Sequence, residues 1–274
     1  QTVVEPSETV IADEIVQEEP AYIIDEIVEK RTETTKHFLM SDGSVMAAVY
    51  DQAVHYNDGN AWVDIDNSFS TNTDNDLENT SNIFKTKFSK KSNGNKLVTV
   101  KKDDYSLSWM LSGANKVDAQ VSNNDGEEVE DKSALKNLEG LVIYPEILSN
   151  VDLQYVVSGS EVKENIVLKD KDTPTEFTFQ YKFNKLNHRT NENGQIEFYD
   201  ENDSANVVFT IDTPYMYDAN KAYSNNVEML VTGTENGFTL TLIPDKDWLL
   251  SEERVYPVVI DPTTMGSKKA TSVW

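Results

Sequence analysis

Two acidic residues, Asp64 and Asp66, have the spacing that acid–base chemistry needs, in the segment Trp62-Val63-Asp64-Ile65-Asp66. In a strand their side chains share one face, with Cβ atoms about 6–7 Å apart. Paired carboxylates at a comparable separation cleave glycosidic bonds, so a glycan-active hydrolase module is one alternative. We prefer the interpretation that both acids lie on a solvent face and fix the turn after Asp58-Gly59.

Three tryptophans could stack on sugar rings through their aromatic faces. Trp109 alternates with Tyr105 and Leu107, which is typical of a core strand, and Trp248 is expected to plug the core. Trp62 directly follows a turn and is therefore the best candidate for an exposed aromatic platform. A carbohydrate- or cell-wall-binding module with Trp62 at its surface is a second alternative.

Seven lysines form the basic run of the chain, with no acidic residue between positions 85 and 102. They are Lys85, Lys87, Lys90, Lys91, Lys96, Lys101 and Lys102. On a hairpin that turns at Asn93-Gly94 they would crowd one region. The interpretation we prefer is a solvated face that protects an exposed sheet edge from aggregation. The functional alternative is contact with an anionic wall polymer or with an acidic neighbour in the same protein.

Metal, nucleophile and cofactor chemistry have little support in the sequence. Cysteine is absent, and His37, His55 and His188 do not have the spacing of zinc ligands. There is no G-x-S-x-G elbow and no Gly-rich phosphate loop. Residues 123–127 resemble a calcium loop, but Val121 occupies the first ligand position, which favours a plain turn. We therefore predict no catalytic residue, no metal and no cofactor, and that the chain is not an enzyme.

The charge of the chain is strongly negative, with 48 acidic against 24 basic residues and a formal net charge of -24. Such a field repels nucleic-acid phosphates and anionic lipid surfaces. No apolar run approaches the roughly 20 residues that a membrane-spanning helix needs. We therefore predict no nucleic-acid partner and no membrane insertion.

The elements that position these residues are predicted to be strands, because apolar side chains alternate with polar ones along most of the chain. Phe177, Phe179, Tyr181 and Phe183 are separated by polar residues, as are Val151, Leu153 and Tyr155. The dipeptides Asn93-Gly94, Asn193-Gly194 and Asn236-Gly237 are strong hairpin signals between such runs. We predict an all-β fold of antiparallel β-sandwiches.

Composition divides the chain into five parts. Residues 1–33 form an acidic spacer that is disordered or carries a short helix from about Ala21 to Glu29. Residues 34–116 and 133–262 are expected to be two packed β-modules, joined by an acidic loop or linker at 117–132. Whether the two modules share sheets stays open. Residues 263–274 have the composition of a linker to a further module.

Several segments together resemble one family of large secreted proteins. They are AAVYDQAVHYNDGNAWVDIDNSF at 47–69 after Asp42-Gly43-Ser44, IYPEILSNVDLQYVVSGSEVKENIVLKD at 143–170, IEFYDE at 196–201, VFTIDTPYMYDAN at 208–220, GFTLTLIPDKDWL at 237–249 and RVYPVVIDPT at 254–263. In this order they resemble the N-terminal, repeat-preceding region of RHS/YD-repeat proteins of Gram-positive bacteria (Firmicutes), of the wall-associated protein type.

This resemblance implies a secreted or wall-associated, extracellular location, with other domains of the same large protein and a wall polymer or glycan as partners. It also implies a non-catalytic structural or interaction role, in which the region positions downstream jelly-roll, YD-repeat and effector modules. The resemblance covers about residues 34–263 and carries no catalytic residue onto this chain.

Overall fold

The chain folds almost entirely into antiparallel strands in a computed structural model that describes residues 20–122, 133–135, 137–159, 161–234 and 237–266. Its strands are β1 (Ile23–Glu26), β2 (Thr35–Met40), β3 (Val45–Val49), β4 (His55–Asn57), β5 (Trp62–Asp64), β6 (Asp66–Thr71), β7 (Leu77–Ser81), β8 (Lys85–Phe88), β9 (Val98–Lys102), β10 (Tyr105–Leu111), β11 (Gln120–Ser122), β12 (Glu139–Leu148), β13 (Val151–Ser158), β14 (Glu161–Leu168), β15 (Phe177–Asn184), β16 (Leu186–Thr190), β17 (Ile196–Asp200), β18 (Asp203–Ile211), β19 (Tyr215–Tyr217), β20 (Tyr223–Ser224), β21 (Val227–Thr234), β22 (Gly237–Pro244), β23 (Val258–Asp261) and β24 (Thr264–Gly266). A single 3-10 turn covers Val28–Lys30, and the helix α1 covers Lys246–Leu249. No described helix is long and apolar enough to cross a membrane.

Two large sheets form a sandwich. One has eight strands in the order β21-β22-β15-β10-β9-β8-β7-β6. The other has eleven strands, with the path β11-β12-β13-β14-β24-β18-β17-β16 and with β23 pairing both β14 and β19. Two small sheets, β1-β2-β3 and β4-β5, precede them in the chain. The predicted all-β, antiparallel sandwich fold is confirmed.

The core lies between the two large sheets and is rich in aromatic rings. Trp109 of β10 stacks on Tyr181 at 5.5 Å between ring centroids, within the eight-stranded sheet. Across the core, Phe88 of β8 packs 5.2 Å from Tyr155 of β13, and Phe238 of β22 packs 5.7 Å from Phe198 of β17. The alternation seen in the sequence therefore marks the inward face of each strand, and the core prediction for Trp109 is confirmed.

The residues of the two predicted modules, 34–116 and 133–262, share a sheet and a core. β10 pairs with β15 over six residue pairs, from Ser106↔Asn184 to Leu111↔Phe179. One hydrophobic cluster extends from Phe69 to Ile260. β10 and β15 are far apart in sequence. The turn signals between them are local and therefore do not predict that these two strands pair.

Both predicted linkers contain strands at the edge of the described residues. β11 lies within the expected linker 117–132 and pairs with β12, while the calcium-like loop 123–127 lies outside the described residues. β24 lies within the expected linker 263–274 and bridges β14 and β18. Backbone hydrogen bonds to flanking strands hold these short polar segments, although their side chains lack an alternating pattern.

The helix proposed for Ala21–Glu29 is not found, because Ile23–Glu26 forms strand β1 instead. This strand pairs with β2, for example through Glu26↔Phe38. Two adjacent β-branched isoleucines favour a strand over a helix at this position. Residues 1–19 of the predicted spacer lie outside the described residues.

Where β6 meets β12, buried amides replace apolar packing. The side-chain oxygen of Asn67 accepts hydrogen bonds from Asn79 and Asn82, each at 3.0 Å, and Asn82 also donates to the carbonyl of Gly159 at 2.7 Å. A Cβ at residue 140 would lie 2.0 Å from the carbonyl oxygen of Asn67. Glycine at 140 is therefore required for the two sheets to approach here.

A buried acid joins the two large sheets in the middle of the core. Trp109 of β10 donates its indole N–H to Glu164 Oε2 of β14 at 2.9 Å, and Glu164 is 2% exposed. Burial raises the pKa of Glu164 to about 7, and the Trp109 hydrogen bond only partly offsets this effect. The side chain can thus carry its proton at mildly acidic pH, which removes the cost of a buried charge.

The raised pKa predicts that stability falls as pH rises. In the unfolded chain Glu164 ionises near its ordinary pKa of 4.5, so between about 4.5 and 7 the folded state holds one more proton. The free energy of unfolding should fall by about 3 kcal/mol across this window through this group alone. Glu164→Gln cannot ionise, so its urea midpoint should change less between pH 4.5 and 8 than that of the wild type. The control is Glu161→Gln, an exposed position on the same strand, and equal pH slopes for the wild type and Glu164→Gln would refute this role.

Candidate functional site

Five ionisable side chains come together where the three-stranded sheet meets the β4–β5 hairpin. This charge cluster consists of Glu26, Arg31, Lys36, His55 and Asp64. β1 supplies Glu26, β2 supplies Lys36, and the β4–β5 pair His55↔Asp64 supplies the last two members. Arg31 follows the 3-10 turn Val28–Lys30, which brings its side chain between the two carboxylates.

Arg31 is the centre of the charge cluster. Its guanidinium donates to both oxygens of Glu26, at 2.7 and 2.9 Å, and to Asp64 Oδ2 at 2.8 Å. It also donates to the backbone carbonyl of Trp62 at 3.2 Å. Lys36 donates to the other oxygen of Asp64 and lies 3.5 Å from Glu26. This fork geometry uses the planar set of donors that arginine presents to carboxylates.

His55 is buried at the edge of the charge cluster, with its side chain fully enclosed. Its Nδ1 lies 2.6 Å from the carbonyl oxygen of Thr32, and a carbonyl can only accept, so Nδ1 carries a proton. Nε2 has no hydrogen-bond partner among the described residues and lies 3.5 Å from Asp64 Oδ1. Burial lowers the pKa of His55, so the imidazole is neutral at pH 7 with its Nε2 lone pair free.

The two carboxylates of the charge cluster are ionised. Burial raises the pKa of Glu26, but the hydrogen bond from Arg31 and the charge of Lys36 outweigh it, and the pKa lies below its ordinary value. The pKa of Asp64 is lowered against burial by Lys36 and Arg31. A glycosidase acid needs the opposite shift, because it must hold its proton until the sugar oxygen takes it. The arrangement instead favours ion pairs that fasten three chain segments together.

Asp64 and Asp66 belong to two different strands, whereas the sequence predicts that they share one. β5 ends at Asp64, β6 begins at Asp66 in the eight-stranded sheet, and Ile65 between them is buried. Both acids do line one small cavity of about 290 Å³, together with Lys36 and Asn137. Asp66 Oδ1 accepts from the backbone and hydroxyl of Ser68 there, and its role in binding stays a prediction.

Trp62 is half-buried in β5, opposite Asn57. Its backbone, rather than its ring, contributes to the charge cluster through the carbonyl that Arg31 contacts. A sugar-stacking role for Trp62 stays a prediction. Sequence patterns single out Trp62 and Asp64 but not Glu26, Arg31 or Lys36, because these three come from segments that only the fold brings together.

The structure places the lysines of the basic run in different surroundings. Lys87 pairs with Glu78 at 3.1 Å, Lys91 pairs with Asp118 at 3.2 Å, and Lys90 donates to Asn75. Lys85 and Lys101 lie directly opposite each other in the β8–β9 ladder. Lys102 lines a separate cavity of about 520 Å³ with Lys185 and Asp200.

The lysines do not guard a sheet edge, contrary to the interpretation preferred from the sequence. β8 and β9 are interior strands of the eight-stranded sheet, between β10 and β7. Basic residues commonly protect sheet edges, but here β7 and β10 cover both sides of the two strands. Within the described residues, no group of three or more His, Cys, Asp or Glu side chains is placed to hold a metal ion.

Comparison with known proteins shows similarity to bacterial nucleases and to a wall-associated protein. The chain is 31% identical over 249 residues to the tRNA(Glu)-specific nuclease WapA of Bacillus subtilis subsp. natto and 32% identical over 249 residues to the tRNA3(Ser)-specific nuclease WapA of Bacillus spizizenii. Each comparison covers 87% of this chain but 10% of the relative. The chain is also 25% identical over 213 residues to the wall-associated protein of Geobacillus stearothermophilus, which covers 75% of this chain and 80% of that protein. No family model and no solved structure matches the chain.

These relatives support the coarser part of the predicted resemblance. The chain is similar to WapA proteins and to a wall-associated protein, which fits a bacterial surface protein associated with the cell wall. Its position before RHS or YD repeats stays a prediction. The chain spans about a tenth of the length of the two nucleases.

The names of these relatives contradict two predictions from the sequence. The chain was predicted not to be an enzyme and to have no nucleic-acid partner, yet the relatives are named tRNA-specific nucleases. Both predictions rested on the residues and the net charge of 274 positions. The match covers 10% of each nuclease, so the residues and charge of this segment do not determine the activity or the target of a whole protein of that kind.

The charge cluster predicts a clear difference between two neighbouring glutamates. Glu26→Gln leaves Arg31 and Lys36 with one carboxylate fewer in a poorly hydrated site, so we expect unfolding to require about 2 kcal/mol less free energy at pH 7. Glu29→Gln, an exposed acid on the 3-10 turn, should change stability by less than about 0.5 kcal/mol. Urea denaturation measures both.

The pH dependence gives a second check of the same pair. Because the folded pKa of Glu26 lies below its unfolded value, its stabilising effect is present above the unfolded pKa and is lost as pH falls through the folded pKa. The gap between the wild type and Glu26→Gln should therefore close in acid. A gap that persists unchanged at pH 3, or equal midpoints for the two variants at pH 7, would speak against the ion-pair role.

Proposed function

We propose that this chain is a structural and interaction module of a large exported bacterial surface protein that associates with the cell wall. The main support for the proposal is that the similarity covers 87% of this chain but 10% of the longer relatives. The name of the Geobacillus relative supports the wall setting. A shared core that includes strands from β6 to β23 suits a rigid unit within a long protein.

In this proposal the sandwich positions further modules of jelly-roll, YD-repeat and effector type at the cell surface. A rigid β unit can do so because its two large sheets are joined by the Trp109–Glu164 hydrogen bond and by the hydrogen bond from Asn82 to the carbonyl of Gly159. For the complete protein we propose the activity in the names of the two nucleases, cleavage of tRNA.

A second proposal concerns the basic run and rests on Lys85 and Lys101. Like charges placed directly opposite in a ladder repel each other, and a bound anion would offset that repulsion. The chemistry that fits is a phosphodiester polymer, which tRNA and an anionic wall polymer have in common. Lys90 and Lys91, which already contact Asn75 and Asp118, are the natural comparison.

Wall association can be tested with a secreted reporter fused to residues 1–274 and expressed in a Gram-positive host. We expect the fusion to remain with the wall fraction after the cells are washed, whereas the reporter alone should be found in the medium. Immunoblotting of the two fractions gives the measurement. A fusion recovered wholly from the medium would contradict the proposed module function.

The lysine proposal can be tested with two double variants of equal charge change. Lys85→Gln/Lys101→Gln should weaken binding to a phosphodiester polymer and reduce the slope of log affinity against log salt by about two. Lys90→Gln/Lys91→Gln should leave that slope unchanged. Filter binding with tRNA and with polyglycerol phosphate separates the two sources of the polymer. Binding by neither polymer, or equal slopes for the two variants, would reject the lysine surface.

A further inference from the structure

Three tyrosine rings lie together on the outer face of the eleven-stranded sheet. Tyr215 and Tyr217 are two residues apart on β19, so both point away from the core, while Met216 between them is fully buried. Tyr223 of β20 pairs with Tyr217 across the ladder. The ring of Tyr215 lies 6.1 Å from that of Tyr217 and 5.4 Å from that of Tyr223, with interplanar angles of 27° and 30°. The rings form a near-parallel group with Tyr223 61% exposed.

Polar contacts hold the inner ring of this group in place. The phenol of Tyr215 donates to Asp261 Oδ2 at 2.6 Å, and the ammonium of Lys163 lies 2.8 Å from the same oxygen. Thr263 donates its hydroxyl to the other oxygen of Asp261. The Asp261 side chain is fully buried, whereas Lys163 is 39% exposed. Asp261 thus holds the Tyr215 phenol in place, and the Lys163 ammonium lies 3.4 Å from the same phenol.

The charges that contact these rings form an ion pair, in a chain of net charge -24. Lys163 and Asp261 compensate each other, and Arg254 is paired with the buried Asp218 and with Glu253. Burial and the neighbouring Asp261 carboxylate raise the pKa of Tyr215, so the phenol stays uncharged. An anionic polymer would gain little at these rings, because the Lys163 ammonium is already paired with Asp261.

The size of the tyrosine group suits a small or thin ligand better than a protein. A stable protein interface buries about 800 Å² on each partner, whereas three partly covered rings expose only a fraction of the roughly 150–250 Å² that each aromatic side chain can bury. A sugar ring matches this surface, because its C–H groups carry slight positive charge and pack on the negative face of an aromatic ring. Its hydroxyls can hydrogen-bond to the phenols and to Lys163.

We propose that Tyr215, Tyr217 and Tyr223, with Lys163, form a docking platform for an uncharged polysaccharide of the cell wall. The proposal rests on the proposed wall association and names the surface and ligand class responsible for it. Tyr223 makes the outer contact, and Tyr215 and Tyr217 extend the stacking surface along β19.

The test uses the full 274-residue chain and purified wall sacculi from which the anionic polymers have been stripped. Co-sedimentation should show that Tyr223→Thr, which removes the ring but keeps a good strand former, binds about tenfold more weakly than the wild type. Tyr223→Phe keeps the ring and should bind within about twofold of the wild type. The matched control is Tyr22→Thr, which removes a similarly exposed tyrosine, 67% exposed, just before β1 and should not alter binding.

Circular dichroism of each variant shows whether it is folded. If Tyr223→Thr does not fold, the binding of Tyr223→Phe still tests the proposal. The proposal is overturned if Tyr223→Thr binds as well as the wild type while folded, or if Tyr223→Phe loses binding like Tyr223→Thr. It is also overturned if the wild type sediments only with untreated sacculi, since the ligand would then be the anionic polymer. A reporter fusion that stays on the wall while the chain ignores stripped sacculi rejects this platform but not the module function.

Discussion

The hydrogen bond between Trp109 and Glu164 crosses the sandwich at its centre, and the mutual position of the two large sheets depends on it. Apolar packing is non-directional and would tolerate small shifts of one sheet against the other. A hydrogen bond has a narrow range of length and angle, so this contact favours one position. Trp109 also stacks on Tyr181, which extends the constraint into the aromatic layer of the eight-stranded sheet. The cost is an acid in the core, which the raised pKa of Glu164 limits at mildly acidic pH.

Polar contacts of other kinds attach the remaining parts to this centre. The asparagine contacts hold β6 where Gly140 lets β12 approach, and the charge cluster ties the three-stranded sheet to the β4–β5 hairpin. Arg31 does so with one side chain that contacts Glu26, Asp64 and the carbonyl of Trp62. The apolar core thus supplies the bulk of the burial, while directional contacts at its margins define how the sheets and hairpins meet.

Local patterns predict the strands well and their partners poorly. The alternation of Phe177, Phe179 and Tyr181 identifies β15 and its inward face, and Asn193-Gly194 marks the turn before β17, where Gly194 has a positive φ of 81°. The pairing of β15 with β10 has no local signal, because the two strands are far apart in sequence. The site residues show the same limit. Asp64 and Trp62 stand out by their spacing in the sequence. Arg31 and Tyr215 can be identified as site residues only from the neighbours that the fold places beside them.

The position of β24 has a consequence for the order in which the eleven-stranded sheet can close. β24 lies between β14 and β18, and it joins the first strands of the eleven-stranded sheet to β16, β17 and β18. β24 follows in sequence every strand that it joins, so the path β14-β24-β18 cannot close until residues 264–266 are available. The eleven-stranded sheet therefore stays in two pieces while the earlier strands form, and its closure depends on three residues.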